Sequence, residues 1–199
     1  MKALVLFHSV TANTYLIAKE YASYLKELGI PADLFRVPDP MMDEQGALSP
    51  GCYEEYREEI LSVPAMIRIH DVENYDLVFM GCPTYYGTVS GPMKLLLEQN
   101  YTLWTDTSTQ GKLFGSFTSL GEATGGSETC LESLNIWAMH RSMVVLSTPA
   151  PLNGSTQPAL GIAYNTRQDP ENRPGRDFFR NVHFYLDWAA GIAKRYCGE

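Results

Sequence analysis

The sequence predicts a doubly wound α/β fold, in which a parallel sheet carries helices on both of its faces. Two observations lead to this prediction. Short runs made almost entirely of apolar residues are typical of parallel strands buried on both faces, and these runs alternate with segments of helical spacing. The 199 residues, of which 45% are hydrophobic, suffice for the core of one domain. We therefore predict a single domain over residues 1–199, with irregular segments at 38–72 and 149–175.

The N-terminal region has the pattern of a strand–helix–strand unit. The apolar run Ala3–Phe7 predicts the first strand. Apolar residues at helical spacing from Ile17 to Leu28 predict a helix, and Gly29 is a typical C-terminal stop. The segment Ala32–Val37 then predicts a second strand. Two strands joined by a helix at this distance are typical of a parallel βαβ unit.

The same alternation continues to the C-terminus. Ser90 and Ser127 are predicted to cap the helices that follow the third and fourth strands, because short hydroxyl side chains satisfy the first N–H groups of a helix. Tyr53–Leu61 could form a short helix inside the first irregular segment. The further predicted strands are Tyr75–Gly81, Lys112–Thr118 and Met143–Ser147, and the further predicted helices end at Leu97, at Ala138 and, for the amphipathic C-terminal helix, near Ala193.

Charge and composition exclude several classes of protein. The net charge of −8 disfavours nucleic-acid binding, which needs basic surface. The four cysteines form no CxxC pair and no cluster with zinc spacing, which predicts reduced thiols and no metal site. No apolar stretch approaches the length that spans a membrane, and the first apolar run is too short for a signal peptide. We therefore predict a cytoplasmic protein without membrane insertion.

In a doubly wound sheet, ligands bind beyond the carboxyl ends of the strands, which directs attention to the loops there. Loop one, Ser9–Thr14, joins the first strand to a helix N-terminus, where free N–H groups and the helix dipole attract anions. It carries three hydroxyl side chains but no Lys or Arg, and it matches neither the P-loop nor the GxGxxG pattern. Such a loop suits a bound monophosphate, although an ordinary capped helix start would also explain it.

Loops two and three follow the third and fourth strands. In loop two, Pro83–Thr88, a proline and a glycine shape a rigid turn, and Tyr85 and Tyr86 offer aromatic rings to a flat ligand. A turn with surface tyrosines is the alternative interpretation. In loop three, Ser119–Gly126, the glycines permit a close backbone approach to a planar ligand.

The three loops together resemble those of a known family. Loop one resembles the [ST]-x-T-G-x-T phosphate loop of flavodoxins, with Ala12 in the position of the glycine. The stretch Gly81–Lys94 resembles the G-x-P-T-R-[FY]-G-N-M stretch of WrbA-type NAD(P)H:quinone oxidoreductases, and Phe117–Glu128 resembles the F-[ST]-S-T-G-x-x-x-G-G-Q-E stretch of the same proteins. The chain thus resembles the flavodoxin-like superfamily and, within it, the NADPH-dependent FMN reductases.

The resemblance implies a three-layer fold with a five-stranded parallel sheet in the order 2-1-3-4-5. It also implies an FMN cofactor, NAD(P)H as electron donor, a small quinone-like acceptor and assembly into a homodimer or homotetramer. Trp104 matches the family's residue on the substrate side, and His140 matches a histidine that reaches the flavin across a subunit boundary. The residues implied for FMN binding are Ser9, Val10, Thr11, Ala12, Asn13, Thr14, Pro83, Thr84, Tyr85, Tyr86, Gly87, Thr88, Ser119, Leu120, Gly121, Glu122, Ala123, Thr124 and His140.

Two functions remain open at this point. One is an enzyme that transfers two electrons from NAD(P)H to a quinone, in which the flavin carries the chemistry and no catalytic side chain is required. The other is a flavodoxin-like carrier that moves single electrons without its own NAD(P)H activity. A receiver domain is disfavoured because no acidic residue ends the first strand at Phe7–Ser9, and a serine hydrolase because no GxSxG elbow occurs.

Overall fold

The computed structural model describes residues 1–40, 54–99 and 107–198. Its sheet has the order β2-β1-β3-β4-β5, and every pairing is parallel, so the predicted fold class and strand order are confirmed. The strands are β1 (Ala3–Phe7), β2 (Ala32–Arg36), β3 (Leu77–Pro83), β4 (Leu113–Leu120), β5 (Val144–Val145) and β6 (Ile162–Asn165). The helices are α1 (Asn13–Glu27), α2 (Arg57–Ser62), α3 (Gly91–Glu98), α4 (Ser127–His140) and α5 (Arg176–Cys197), with 3-10 turns at Glu54–Tyr56 and Ile69–Asn74.

The strand beside β4 is divided into two pieces, which the sequence did not indicate. β5 pairs only with Leu113 and Phe114 at the start of β4, whereas β6 pairs with the second half of the same strand, Phe117–Leu120. The predicted strand Met143–Ser147 is therefore too long, and the segment 149–175 is not wholly irregular. After Leu146, whose N–H donates to the carbonyl of Phe114, the chain leaves the sheet and returns to it at Ile162.

Two helix starts also differ from the prediction. Ser127 is the first helical residue of α4, and the cap is Gly126, whose φ of 85° is the left-handed conformation that glycine adopts without strain. α1 begins at Asn13, and its cap is Ala12 with φ 70°. Within the predicted helix at 53–61, the described residues form a 3-10 turn followed by α2, and Tyr53 lies outside the described part.

Each face of the sheet has its own apolar core, as the alternation along β3 shows. Leu77 and Phe79 point to the cluster beneath α1 and α5, while Val78 and Met80 point to the cluster beneath α3 and α4. Both sides of β1 and β3 are fully buried, which explains their continuous apolar sequences. Among the described helices, none is both long enough and apolar enough to cross a membrane.

The Tyr21 hydroxyl is a buried polar group with no hydrogen-bond partner among the described residues. Burial raises the pKa of this phenol, and its ring packs against Phe79 and Phe117 at 5.1 and 4.8 Å between ring centroids. An unsatisfied buried hydroxyl costs stability, so Tyr21→Phe should raise the free energy of unfolding by about 1 kcal/mol in a urea titration.

Tyr185→Phe is the matched control for this substitution. The Tyr185 hydroxyl is equally buried, but it donates to the carbonyl of Leu146 at 3.0 Å. Removing it leaves that carbonyl without the bond, and the free energy of unfolding should fall by about 1 kcal/mol. If both variants change stability in the same direction, the hydrogen-bond assignment in this core is wrong.

Candidate functional site

A cleft of about 190 Å³ lies at the carboxyl edge of the sheet, where the three loops converge. β1, β3 and β4 are adjacent and parallel, so the loops that follow them meet at one end. This is the position at which doubly wound sheets bind ligands. The lining residues are Thr11, Pro83, Thr84, Tyr85, Ser119, Leu120, Gly121, Thr166, Gln168 and Pro170.

Loop one has the geometry of an anion nest. The backbone N–H groups of residues 10–14 donate no hydrogen bond to any residue that the structure describes, while the next one, of Tyr15, donates to the Ser9 Oγ at 3.2 Å. These N–H groups lie at the N-terminus of α1, where the helix dipole adds positive potential. Thr11 is the most exposed residue of loop one, and it lines the cleft. The donors therefore fit a phosphate group.

Hydroxyl groups join the three loops behind the cleft. The Thr14 Oγ1 and the Ser119 Oγ lie 2.7 Å apart and connect loop one to the end of β4. The backbone N–H of Thr84 donates to the carbonyl of Ser119 at 2.8 Å, and the Thr84 and Thr118 hydroxyls are also 2.8 Å apart. Because these groups are buried, the bonds hold the loops in a defined relative position.

Loop two forms a tight turn. Tyr85 and Thr88 exchange backbone hydrogen bonds of 3.0 and 3.1 Å around Tyr86 and Gly87, which both have positive φ, as a type I′ turn requires. Tyr86 is fully exposed at the tip and does not line the cleft, whereas Tyr85 forms one wall. Loss of solvent, with the negative charge of Asp39 nearby, raises the pKa of the Tyr85 phenol to about 12. The phenol is therefore a neutral donor at physiological pH.

Loop three packs directly on loop two. A Cβ added at Gly126 would lie 2.6 Å from the Cα of Gly87, so this close backbone contact between the two loops requires a glycine at position 126. Glu122, Ala123 and Thr124 are exposed at the rim of the cleft. The Glu122 carboxylate accepts a 3.5 Å hydrogen bond from Gln168 rather than pointing into the cleft.

Sequence reasoning missed the wall that the segment 166–173 contributes. The N–H groups of Thr166 and Gln168 donate to the carbonyls of Leu120 and Gly121 at 2.8 and 2.6 Å, and the Asn13 side chain donates to the carbonyl of Pro170 at 2.9 Å. No sequence motif predicts this wall, because the pairing of β6 with β4, which are distant in the sequence, determines its position.

Arg173 brings a cation to loop one, which has none of its own. Its guanidinium donates to the carbonyls of Thr11 and, at 3.0 Å, of Pro170, and it lies 3.5 Å from a carboxylate oxygen of Glu55. The same group lies 5.1 Å from the centre of the Tyr56 ring. Arg173 therefore connects the C-terminal segment and the residues before α2 to loop one.

Trp104, one of the predicted site residues, lies outside the described residues. His140 is exposed at the C-terminal end of α4, whereas loop three lies at the N-terminal end of that helix. The 14 residues of α4 separate the two ends by about 21 Å. Within one chain, therefore, His140 is not brought to the cleft.

Residues 1–156 match the family described as NADPH-dependent FMN reductase. The chain belongs to this family. Within it, the chain is 32% identical to the NAD(P)H dehydrogenase (quinone) of Archaeoglobus fulgidus over 74% of this chain and 76% of that protein. It is 31% identical to the NAD(P)H dehydrogenase (quinone) 3 of Rhizobium meliloti over 77% of this chain and 69% of that protein. The family that the three loops predicted is thus confirmed.

Solved structures show the same fold. A WrbA-like flavodoxin from Agrobacterium tumefaciens superposes with a TM-score of 0.66 at 18% identity, with 98% of each chain covered. A flavodoxin from the domain Archaea superposes with a TM-score of 0.60 at 15% identity, covering 98% of this chain and 99% of that one. At these identities the likeness concerns the fold, and the family assignment rests on the sequence relatives.

Proposed function

We propose that this protein binds FMN in the three-loop cleft and transfers two electrons from NAD(P)H to a small quinone-like acceptor. The observation that carries the proposal is the nest of N–H groups of residues 10–14 at the carboxyl edge of the sheet, in a chain of the FMN reductase family. When bound, FMN supplies the redox chemistry. The names of the relatives support NAD(P)H and a quinone as the two substrates.

The three loops divide the binding of FMN among them. The N–H groups of loop one, with the Thr11 hydroxyl, are suited to hold the phosphate. Tyr85 and the backbone of Gly121 line the part of the cleft that suits a flat ring.

A homo-oligomer is part of this proposal. His140 is about 21 Å from loop three of its own chain, so it can contribute to a flavin site only in a neighbouring copy. We also propose that Trp104 lines the acceptor side of such a site. The net charge of −8 supports a protein that works on small molecules without nucleic acid, and the cysteine pattern supports the cytoplasm as its location.

The alternative function is a single-electron carrier of the flavodoxin type. The flavodoxin-like pattern of loop one, the acidic net charge and the fold favour it, since flavodoxins superpose well on the chain. The sequence relatives favour the reductase, because the chain is 32% identical, over about three quarters of its length, to a protein named NAD(P)H dehydrogenase (quinone).

An anaerobic titration of the FMN-loaded protein with NADH and with NADPH distinguishes the two functions. We expect rapid bleaching of the flavin absorbance by at least one of these donors, followed by reoxidation when benzoquinone is added. The control is stepwise reduction by dithionite, which reduces the flavin whatever the donor specificity. A flavin that bleaches only with dithionite, through a one-electron intermediate, would support the carrier instead.

Arg173→Ala should weaken FMN binding about tenfold in a fluorescence-quenching titration. The substitution removes a cation that contacts loop one and releases the wall that contains Pro170. Charge-assisted hydrogen bonds contribute about 1.5–3 kcal/mol, and a tenfold loss corresponds to about 1.4 kcal/mol. Arg173→Lys keeps the positive charge, so its FMN affinity should fall less than that of Arg173→Ala.

Arg180→Ala is the control for this prediction. Among the described residues, Arg180 forms only an exposed ion pair with Asp177 on α5, at 3.2 Å, and such pairs contribute little. Its FMN affinity should match that of the unaltered protein. An Arg173→Ala variant with the same affinity as this control would remove Arg173 from the proposed site.

A further inference from the structure

Two cysteines meet directly beneath the three-loop cleft. The Sγ atoms of Cys82, near the end of β3, and Cys130, in the first turn of α4, lie 3.8 Å apart. Both residues are fully buried in the core on the α3 and α4 side of the sheet. The motifs analysed above do not account for either residue.

The surroundings of the pair make the two sulfurs chemically different. Hydrogen bonds from Cys82, Thr84 and Thr118 lower the pKa of the Cys130 thiol, and the N-terminus of α4 stabilises a thiolate at this position. The Thr118 Oγ1 lies 3.7 Å from the Cys130 sulfur. Burial, by contrast, raises the pKa of the Cys82 thiol. The position at the helix N-terminus beside the Thr118 hydroxyl makes Cys130 the better placed nucleophile of the two.

The pair is also placed where a cross-link would affect the cleft. Pro83 and Thr84, which follow Cys82 directly, line the cleft. Cys130 donates its backbone N–H to the carbonyl of Gly126, the residue that packs on Gly87 of loop two. One bond between the two sulfurs would thus connect the ends of loops two and three.

We propose that Cys82 and Cys130 form a redox-active dithiol, whose oxidation to a disulfide cross-links two walls of the cleft and weakens FMN binding. The oxidant is a peroxide. The Cys130 thiolate attacks the O–O bond of hydrogen peroxide and becomes a sulfenic acid, releasing one water after protonation. The Cys82 thiol then attacks this sulfur and displaces a second water, so that two thiols and one peroxide give one disulfide and two waters.

The effect on the cleft follows from the geometry of a disulfide. The S–S bond is about 2.05 Å long, so the two sulfurs must approach by roughly 1.7 Å from their present separation. Gly87 and Gly126 are already in backbone contact and cannot take up this movement. Rotation of the two cysteine side chains supplies part of this movement, and the rest displaces Pro83 and Thr84, which line the cleft, or the first turn of α4. We expect FMN binding to weaken about tenfold.

The experiment uses the double variant Cys52→Ser/Cys197→Ser, which leaves only the two proposed thiols. After treatment with hydrogen peroxide, intact-mass measurement should show a loss of about 2 Da, the mass of two hydrogen atoms. Peptide mapping should recover residues 82 and 130 in one linked peptide, and dithiothreitol should restore the original mass. Adding Cys130→Ser or Cys82→Ser to this background should abolish the mass change.

FMN titrations of the reduced and oxidised double variant then test the consequence, which rests on the proposed function. A loss of affinity of about tenfold that dithiothreitol reverses supports the proposal. Absence of the cross-link, or a cross-link that leaves the FMN affinity unchanged, overturns it. If the reduced protein binds no FMN, the proposed function fails, whereas the mass measurement still decides whether the disulfide forms.

Discussion

Replacing Gly126 with alanine should weaken FMN binding about 100-fold while leaving the chain folded. The new Cβ would lie 2.6 Å from the Cα of Gly87, and backbone atoms cannot rotate away as a flexible side chain can. The φ of 85° at this position adds strain for any L-residue with a Cβ, about 1–2 kcal/mol. Loops two and three must therefore separate, which displaces the groups that line the cleft, and a 100-fold loss of affinity corresponds to about 2.8 kcal/mol.

Gly91→Ala is the matched control for this variant. Gly91 opens α3, no atom lies within 4 Å of its added Cβ, and its φ is not positive. FMN affinity, measured by fluorescence quenching, should remain that of the unaltered protein. A Gly126→Ala variant that binds FMN as tightly as the Gly91→Ala control would show that the contact between loops two and three does not shape the cofactor site.

Gly81→Ala should reduce the free energy of unfolding by about 3 kcal/mol, the upper part of the range for overpacking a core. Gly81 is the register partner of Phe117 across the β3–β4 ladder, and the Phe117 ring covers it. A Cβ would lie 2.1–2.5 Å from three carbons of that ring. The ring cannot retreat, because Tyr21 packs against it at 4.8 Å between centroids.

Urea denaturation followed by circular dichroism measures this effect, and Gly91→Ala again serves as the control. If the clash is the cause, shortening the neighbour in the double variant Gly81→Ala/Phe117→Leu should recover part of the loss, since neighbouring substitutions are coupled. Equal stability of Gly81→Ala and the control would mean that the β3–β4 face is not packed as described.

The central strands and the three loops could be predicted from sequence because their signals are local. Ala3–Phe7 and Leu77–Gly81 are buried on both faces, so their apolar character is continuous and easily recognised. The position of loop one could be predicted because a strand directly precedes it and a helix directly follows it. The conformation of Ala12 is also reflected in a local pattern. Its φ is 70°, and the flavodoxin pattern has a glycine at this position.

The remaining features depend on contacts that are distant in sequence. β6 is only four residues long, too short for a periodicity, and its pairing with β4 decides that it is a strand. The contact between Arg173 and Thr11 spans 162 positions. The sequence predicts Ser127 as the cap because of its hydroxyl, whereas the distant backbone contact with Gly87 requires a glycine, Gly126, at that position.

The central claim is that the three loops at the carboxyl edge of the sheet hold FMN. The most direct test is a titration of the ¹⁵N-labelled protein with FMN, followed by amide chemical shifts in NMR spectra. The largest shifts should occur in residues 10–14, 84–88 and 119–124, with smaller ones at Thr166 and Gln168. Shifts confined to the groove lined by Arg68, His70 and Glu73, on another part of the surface, would contradict the claim.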